Sequence, residues 1–270
     1  MSHRVSSRAD GTVLVYDRAS AGPAASPDAT PVLLLHGSVL SRALWRGLGY
    51  VEALRAEREV LRMDLRGHGT SGKPVDPAAY ATGVQVEDVL SVLDDAGFSR
   101  AHLLGYSLGA RVALATAVEH PARVERLVLL GGSAAAQQGA LEQLFFPGVI
   151  ETLAREGMEA FADRQGLTAD RTDPLAQSTR FAFLRADPQA MAALFTATDA
   201  ADEIPPEVLA QVAAPALWMA GTEDHPRYEQ SQQAAQAMPQ ARFVPLVGRD
   251  HGITLAPAGP VLEQVLPFLR

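Results

Sequence analysis

The stretch AHLLGYSLGA at residues 101–110 decides the fold of this chain. An apolar run that predicts a buried strand leads into Gly-x-Ser-x-Gly, and residues 110–118 then predict a helix. Ser107 lies at the apex of a sharp strand-to-helix turn, where Gly105 and Gly109 leave room for the two elements to pass. The start of the helix also presents free N–H groups and the positive end of its dipole to this serine. Glycines flank serines in ordinary turns as well, so a nucleophilic role for Ser107 depends on the partners identified below.

The composition limits the classes of protein that this chain can represent. Its 270 residues can bury a large core in one domain, or in one domain with an insertion. A hydrophobic content of 47% and a charged content of 20% are typical of soluble globular proteins. The net charge of −8 disfavours nucleic acids and anionic membranes as partners. The chain has no cysteine, which excludes disulfides, thiolate metal sites and a cysteine nucleophile.

The sequence contains no targeting or cofactor signal that we can identify. The first residues lack the apolar segment of a signal peptide, and no apolar run approaches the length of a membrane span. No Walker motif, dinucleotide fingerprint or cluster of metal ligands is visible, so we expect neither a cofactor nor a metal. We therefore expect a cytoplasmic protein that acts on a small molecule, and the sequence leaves a homo-oligomer open.

Alternating strands and helices predict an α/β fold with a doubly wound, mostly parallel sheet. The first strands form a hairpin around Asp10-Gly11, and the continuous apolar run at 31–35 is typical of a strand buried on both faces. The further predicted strands are 59–63, 101–105, 124–130, 216–220 and 242–246, and the predicted helices are 41–56 with Ser41 as its cap, 80–96, 110–120, 207–212, 227–237 and 260–269.

The segment Ser133–Pro205 interrupts this alternation. It contains no convincing buried strand, and it predicts helices at 140–144, 149–161 and 188–195. We therefore expect a core formed by residues 1–132 and 206–270, and a helical cap formed by residues 133–205. The cap would cover the carboxyl edge of the sheet, where open α/β sheets bind ligands. Its phenylalanines either hold the cap to the core or line an apolar pocket above Ser107: Phe145, Phe146, Phe161, Phe181, Phe183 and Phe195.

A serine nucleophile needs a base, and His251 is the best candidate for it. His251 follows the last strand in the sequence Gly-Arg-Asp-His-Gly, so its loop emerges at the same sheet edge as Ser107. His36 and His68 are interpreted as structural residues that brace the loops after their strands. No supporting context surrounds the remaining histidines, which are His3, His102, His120 and His225.

The histidine in turn needs a carboxylate that orients it, and Asp224 is the candidate. It follows the strand at 216–220 in the sequence Gly-Thr-Glu-Asp, again at the carboxyl edge of the sheet. Glu223 competes for this role. Asp250 is a weaker rival because the side chains of adjacent residues rarely point at each other. The chain order Ser107, Asp224, His251 is that of serine hydrolases built on an α/β sheet.

Acyl transfer further requires hydrogen-bond donors for the developing oxyanion. Leu108 follows the serine and offers its backbone N–H at the start of the helix. We assign the second donor to the backbone N–H of Ser38, in the loop after the strand at 31–35, where Gly37 allows a close approach. The N–H of Val39 is the alternative.

Over essentially its whole length the chain resembles the α/β-hydrolase superfamily. The resemblance implies an eight-stranded sheet with helices on both faces, a cap insertion, and the roles assigned above. Within the superfamily it is most similar to small bacterial esterases, enol-lactonases and cofactor-free haloperoxidases. It departs from many members at Tyr106, where histidine is frequent, and at Ala110, where glycine is also common. The matching segments are Leu35-His36-Gly37-Ser38, Asp64-Leu65-Arg66-Gly67-His68-Gly69-Thr70-Ser71, Gly105-Tyr106-Ser107-Leu108-Gly109, Gly221-Thr222-Glu223-Asp224 and Asp250-His251-Gly252.

The sequence thus predicts a serine hydrolase of carboxylic esters or lactones that forms an acyl-enzyme on Ser107. Carbon–carbon bond hydrolysis and perhydrolase or haloperoxidase chemistry with the same three residues are alternatives, and a slow-turnover ligand-binding receptor is another. A serine at this position argues against the dehalogenase and epoxide hydrolase branches, whose resemblance would require aspartate. An arginine of the cap could bind a substrate carboxylate, but we favour solvated positions for all five: Arg155, Arg164, Arg171, Arg180 and Arg185.

Overall fold

The computed structural model describes residues 2–23, 25–26 and 28–270, and its centre is an eight-stranded sheet. The strand order is β1-β2-β4-β3-β5-β6-β7-β8. Strand β2 is antiparallel to both of its neighbours, and β3 to β8 are parallel. The mostly parallel eight-stranded sheet predicted from the sequence is therefore confirmed. The strands are β1 Ser2–Ser6, β2 Val13–Ala19, β3 Val32–Leu35, β4 Val60–Asp64, β5 Ala101–Tyr106, β6 Val124–Leu130, β7 Ala216–Gly221 and β8 Ala241–Leu246.

Helices cover both faces of this sheet. None of those in the described ranges is long and apolar enough to cross a membrane. Single 3₁₀ turns precede α3 and β6. The helices are α1 Ala43–Gly47, α2 Tyr50–Arg55, α3 Thr82–Asp95, α4 Leu108–Glu119, α5 Ala140–Leu144, α6 Val149–Arg155, α7 Gly157–Arg164, α8 Pro174–Leu184, α9 Pro188–Asp199, α10 Pro206–Leu209, α11 Arg227–Ala237 and α12 Gly259–Phe268.

The central strands divide the apolar core into two layers. Leu33 and Leu35 of β3 point towards α3, α4 and α11, whereas Val32 and Leu34 point towards α1, α2 and α12. All four side chains are fully buried, because alternate residues of a strand face opposite sides and helices cover both. This burial on both faces explains why the central strands are continuous apolar runs in the sequence.

The predicted helix at 41–56 is wrong in two respects, and the first is that the structure contains two helices there. Gly49 has a φ of 85° and separates α1 from α2. A left-handed residue ends a helix, and only glycine adopts this conformation without strain. Ser41 does not cap α1 either, since the helix begins after Arg42 and has no side-chain cap. The predicted helix at 149–161 is interrupted in the same way, before Gly157 with a φ of 84°.

Between β6 and β7 the structure has only helices, α5 to α10, within the described residues. Helix α8 was not predicted from the sequence. Five of the six phenylalanines of this segment form one cluster, in which the ring of Phe161 contacts those of Phe145, Phe146, Phe183 and Phe195. Phe181 differs from them because 64% of its surface is exposed. Most of these phenylalanines therefore hold the helices of the segment together.

Candidate active site

Ser107 occupies a strained turn between β5 and α4. Its φ of 54° and ψ of −115° lie outside the regions that residues with side chains normally adopt. A Cβ atom on Gly105 would lie 2.2 Å from the carbonyl oxygen of Gly109, and one on Gly109 would lie 2.1 Å from that of Leu35. No side chain fits at either position, so the two glycines allow the strand and the helix to pass this closely. The turn presents the Ser107 hydroxyl at the carboxyl edge of the sheet.

The structure brings His251 between Ser107 and Asp224. The imidazole Nε2 lies 2.9 Å from Oγ of Ser107, and Nδ1 lies 2.8 Å from Oδ2 of Asp224. An ionised carboxylate only accepts hydrogen bonds, so it holds the proton on Nδ1 and leaves Nε2 free to accept from the serine hydroxyl. Asp224 is 3% exposed, and this burial strengthens its interaction with the ring.

The two rival carboxylates point elsewhere. Glu223 is exposed, and its nearest polar partner is the hydroxyl of Thr222 at 3.5 Å. The carboxylate of Asp250 accepts a hydrogen bond from the backbone N–H of Ile253. It therefore stabilises the turn that carries His251 and does not contact the imidazole. Among the three candidate acids, only Asp224 contacts the imidazole.

The loop after β3 lies directly against the serine. A Cβ atom on Gly37 would be 3.2 Å from Cβ of Ser107, so the next residues of the loop border the hydroxyl. The N–H of Val39 donates to Nε2 of His68 and is therefore committed. The N–H groups of Ser38 and of Leu108 have no acceptor within the part of the chain that the structure describes. Of the two donors considered for this loop, only Ser38 has a free N–H.

Two buried histidines hold this loop in place. His36 accepts a hydrogen bond from the N–H of Leu65 and lies next to His68, with 4.9 Å between the ring centres. Burial lowers the pKa of both rings, and that of His68 falls to about 3. Both rings are therefore neutral at pH 7, which lets Nε2 of His68 accept the hydrogen bond from the N–H of Val39. Val39 itself has a φ of 64°, which is strained for a β-branched residue.

Tyr106 is a contact of His251 that sequence reasoning did not identify. Its hydroxyl donates a 2.7 Å hydrogen bond to the backbone carbonyl of His251, and its ring stacks on the imidazole with 5.3 Å between centres. The phenol is 6% exposed, and this burial raises its pKa, so it remains a donor. The sequence did show that Tyr106 replaces the histidine that is frequent at this position. It could not show that the tyrosine contacts His251, because the two residues are 145 positions apart in the chain.

Two buried arginines that follow Ser107 and Asp224 in the chain were also not identified from the sequence. Arg111, one turn after Ser107 on α4, and Arg227, at the start of α11, are only 8% and 9% exposed. By contrast, four of the five arginines of residues 133–205 form ion pairs at the surface, and Arg185 lies over the ring of Phe181. The described residues contain no group of three or more histidine or acidic side chains that could hold a metal ion.

A groove of about 630 Å³ runs from the loop after β3 towards α8. Its walls combine Val39, Leu40 and Leu44 with Phe181 and Ala182. Charged side chains also line it: Asp17, Arg42, Arg62, Asp64 and Arg185. Its apolar part suits an apolar group of a small ligand.

Comparison with known proteins identifies one fold family and several similar structures. The model of the alpha/beta hydrolase fold family matches residues 30–254. The crystal structure of an enol-lactonase from Burkholderia xenovorans LB400 superposes with a TM-score of 0.82 at 29% identity, over 96% of this chain and 97% of that one. An esterase from Rhodococcus sp. ECU1013 has a TM-score of 0.80 at 25% identity, over 99% of this chain and 98% of that one. A 2-hydroxymuconate semialdehyde hydrolase of Pseudomonas sp. strain CF600 is 40% identical over 106 residues, which are 38% of this chain and 36% of that protein.

Proposed function

Because this chain belongs to the α/β-hydrolase fold family, we propose that it is a serine hydrolase that cleaves carboxylic esters or lactones through an acyl-enzyme on Ser107. The observation that carries this proposal is the continuous hydrogen-bonded chain from Ser107 through His251 to Asp224, with distances of 2.9 and 2.8 Å. A serine hydroxyl is a weak nucleophile unless such a base is within reach.

The first half of the proposed reaction acylates the serine. The hydroxyl of Ser107 attacks the carbonyl carbon and transfers its proton to Nε2 of His251. The backbone N–H groups of Ser38 and Leu108 stabilise the oxyanion, and Asp224 stabilises the imidazolium that forms. When the tetrahedral intermediate collapses, the leaving alcohol takes the proton from His251.

The second half returns the enzyme to its starting state. Water attacks the acyl carbon while His251 takes its proton, and the same two N–H groups again stabilise the oxyanion. Collapse releases the carboxylic acid, and the proton on His251 returns to Ser107. The residues require no metal or cofactor for either half.

The apolar part of the groove supports a small, partly apolar substrate. Val39, which follows Ser38 in the chain, and the exposed ring of Phe181 both line it. We further propose that residues 133–205 act as a cap on a core of residues 1–132 and 206–270, because helix α8 of this segment forms the wall of the groove opposite the core. Lactones and short or medium acyl esters would fit this space.

Carbon–carbon bond hydrolysis is the second candidate. It is favoured by the 40% identity over 106 residues to a 2-hydroxymuconate semialdehyde hydrolase, although the match spans only 36% of that protein. The same three residues would serve this reaction, with a carbanion instead of an alkoxide as the leaving group. The two activities therefore differ in substrate, not in site.

A substrate panel tests the proposal directly. The purified protein is assayed with p-nitrophenyl esters from acetate to decanoate, with γ- and δ-lactones, and with a vinylogous 1,5-diketone. A fluorophosphonate probe is applied in parallel, and the labelled residue is located by mass spectrometry. We expect steady ester or lactone turnover and a single adduct on Ser107.

Other outcomes of this panel assign another function. Turnover of the diketone without turnover of esters or lactones establishes the carbon–carbon reaction. An initial burst followed by a stalled adduct favours the slow-turnover ligand-binding receptor. Labelling that persists in Ser107→Ala contradicts the assigned nucleophile, whereas Ser231→Ala is a matched control because its buried hydroxyl only binds the carbonyl of Gly132.

A further inference from the structure

The loop that carries His251 is held largely by side chains. It comprises residues 247–258, between β8 and α12. Within residues 2–23, 25–26 and 28–270, three of its carbonyls receive no backbone N–H and are bound by side chains instead: those of Thr254, Leu255 and Pro257. Thr254 and Leu255 are buried, and a buried carbonyl needs a hydrogen-bond donor. The conformation of the loop therefore depends on the side chains that reach it.

Arg249 supplies two of these donors from within the loop. Its guanidinium donates hydrogen bonds of 2.8 Å to the carbonyls of Thr254 and Pro257. The side chain is 7% exposed and forms no ion pair with any described residue. Burial of a cation without a counterion is costly, so the two carbonyl oxygens replace the water that the guanidinium loses. Its donors form a rigid fork, which can hold two acceptors at once and thereby closes the loop on itself.

Thr254 connects this guanidinium with His251. Its carbonyl accepts the hydrogen bond from Arg249, and its backbone N–H donates to the carbonyl of His251 over 3.3 Å. Its hydroxyl donates to the carbonyl of Asp250 over 3.0 Å. Because Thr254 is fully buried, water cannot replace these partners. Without the guanidinium the carbonyl of Thr254 would lose its donor, and the turn that carries His251 would have to rearrange.

The backbone of Arg249 also contacts the neighbouring loop, which carries Asp224. Its carbonyl accepts a 2.9 Å hydrogen bond from the N–H of Glu223, the residue before Asp224. A Cβ atom on Gly221 would lie 2.0 Å from the same carbonyl, so the end of β7 packs directly against it. Arg249 therefore lies where the loop of the histidine meets the loop of its carboxylate partner.

We propose that Arg249 is a positioning residue for His251: its guanidinium fixes the loop at 247–258 so that the imidazole stays within hydrogen-bond reach of both Ser107 and Asp224. It acts through the backbone of Thr254 and not on the substrate. The distances of 2.9 and 2.8 Å on the two sides of the ring leave little tolerance, because a shift of about 1 Å can lower a rate by about a hundredfold. This inference rests on the proposed serine hydrolase activity for its kinetic effect, but not for the position of the ring.

The kinetics of Arg249→Met test this role. Methionine fills much of the space of the arginine stem but donates no hydrogen bond. We expect kcat for the best substrate of the panel to fall by about tenfold to a hundredfold, because the imidazole leaves its position. KM should change by less than about twofold, because the groove and the loop after β3 are not altered. Arg249→Lys keeps the charge and one donor group, so it should recover part of the loss in kcat.

Arg58→Met is the matched control. Arg58 is equally buried and also donates to a backbone carbonyl, that of Leu269 at 3.0 Å, but it lies just before β4 at the amino edge of the sheet. This control should lower Tm, as Arg249→Met does, and keep the wild-type kcat. If both variants lower Tm and both keep kcat, Arg249 stabilises the fold without positioning His251. If Arg249→Met does not fold, Arg249→Lys and Arg249→Gln provide the same comparison.

A proton resonance separates this inference from the proposed reaction. The proton between Nδ1 of His251 and Asp224 gives a signal far downfield in the ¹H NMR spectrum, and its absence from His251→Ala assigns it. We expect this signal in the wild type and in Arg58→Met, and we expect Arg249→Met to lose it through exchange with water.

Two further outcomes are distinguishable. Ester hydrolysis with an unchanged signal and an unchanged kcat in Arg249→Met overturns the role of Arg249 and leaves the serine hydrolase intact. A signal that depends on Arg249, without hydrolysis of any substrate by the wild type, overturns the proposed reaction and leaves the positioning role intact.

Discussion

The two edges of the central sheet are built very differently. At the carboxyl edge lie Ser107 and Val39, the non-glycine residues with positive φ in the described chain. Buried histidines at this edge have both ring nitrogens hydrogen-bonded. At the amino edge no described non-glycine residue has a positive φ, and the Nδ1 of buried His102 has no hydrogen-bond partner in the described structure. Strain and dense hydrogen bonding are thus concentrated where the candidate site lies.

The difference indicates that the carboxyl edge is held rigid at a cost to stability. Strained residues persist only where the surrounding structure determines them, and each costs about 1 to 3 kcal/mol. A site that stabilises a transition state needs donors and acceptors already in position, and this requirement explains why strain is tolerated there. Matched substitutions at the two edges can test this interpretation.

The largest effect is expected for the serine at the carboxyl edge. Ser107→Ala removes the nucleophile and should lower kcat by about 10⁴-fold or more, because no neighbouring group can replace it. Ser99→Ala is its counterpart in an exposed loop at the amino edge and should leave kcat unchanged. The measurement is kcat for the best ester of the substrate panel. A loss of less than tenfold in Ser107→Ala would place the reaction elsewhere.

Glycine substitutions should give the next largest effect. Gly109→Ala would place a Cβ atom 2.1 Å from the carbonyl oxygen of Leu35, so the strand and the helix would have to move apart. We expect a loss of about 3 kcal/mol or more in the free energy of unfolding. Gly97→Ala also changes a glycine, with a φ of 81°, but meets no atom within 4 Å. It should cost only about 1 kcal/mol, from backbone strain.

Urea unfolding followed by circular dichroism measures both glycine variants. Equal losses for Gly109→Ala and Gly97→Ala would contradict the close approach of β5 and α4. The loss of stability would then come from the positive φ or flexibility of glycine in general, and not from the packing of the turn at Ser107.

These examples also indicate how far sequence reasoning could reach. Ser107 and Asp224 each follow a buried parallel strand, and His251 follows the strand at the edge of the same sheet. The alternation of elements therefore predicted that all three emerge at one edge. The sequence could not predict the hydrogen bond from Tyr106 or the burial of Arg227, because both depend on how loops that are distant in sequence meet. The sequence analysis missed the helix break at Gly49 because the helical spacing of apolar residues continues past this glycine, although the helical backbone conformation ends there.

Tyrosine substitutions are expected to have a smaller effect on catalysis. Tyr106→Phe removes the hydroxyl that holds the carbonyl of His251 and should lower kcat by about tenfold, with little change in KM. Tyr16→Phe removes an equally short hydrogen bond of 2.7 Å to Asp95, the last residue of α3, and should leave kcat unchanged. Steady-state kinetics and Tm are measured for both variants. Similar losses of Tm with equal kcat values would mean that Tyr106 stabilises the fold without positioning His251.

The buried histidines should produce the smallest effect, and it depends on pH. Burial lowers the pKa of His102 to about 3, and the charges of Arg58 and Arg126 lower it further. The unfolded chain binds a proton at this residue near pH 6.5, so between pH 6.5 and 3 it holds one proton more than the folded chain. The free energy of unfolding should therefore decrease as the pH falls, by about 1.4 kcal/mol per pH unit for each such histidine.

Variants of His102 and His68 compare the two edges, through the pH dependence of the unfolding free energy and through kcat. His102→Met should flatten the decrease in unfolding free energy between pH 6.5 and 4.5 without changing ester hydrolysis, because His102 lies far from Ser107 and forms no side-chain hydrogen bond within the described ranges. His68→Met should flatten the same curve, since burial also lowers the pKa of His68 to about 3. It should in addition lower kcat, because the N–H of Val39 loses its acceptor and the loop that carries Ser38 is released. Parallel unfolding curves for wild type and His102→Met would show that this histidine takes up its proton without unfolding, and the amino edge would then be more open than its burial indicates.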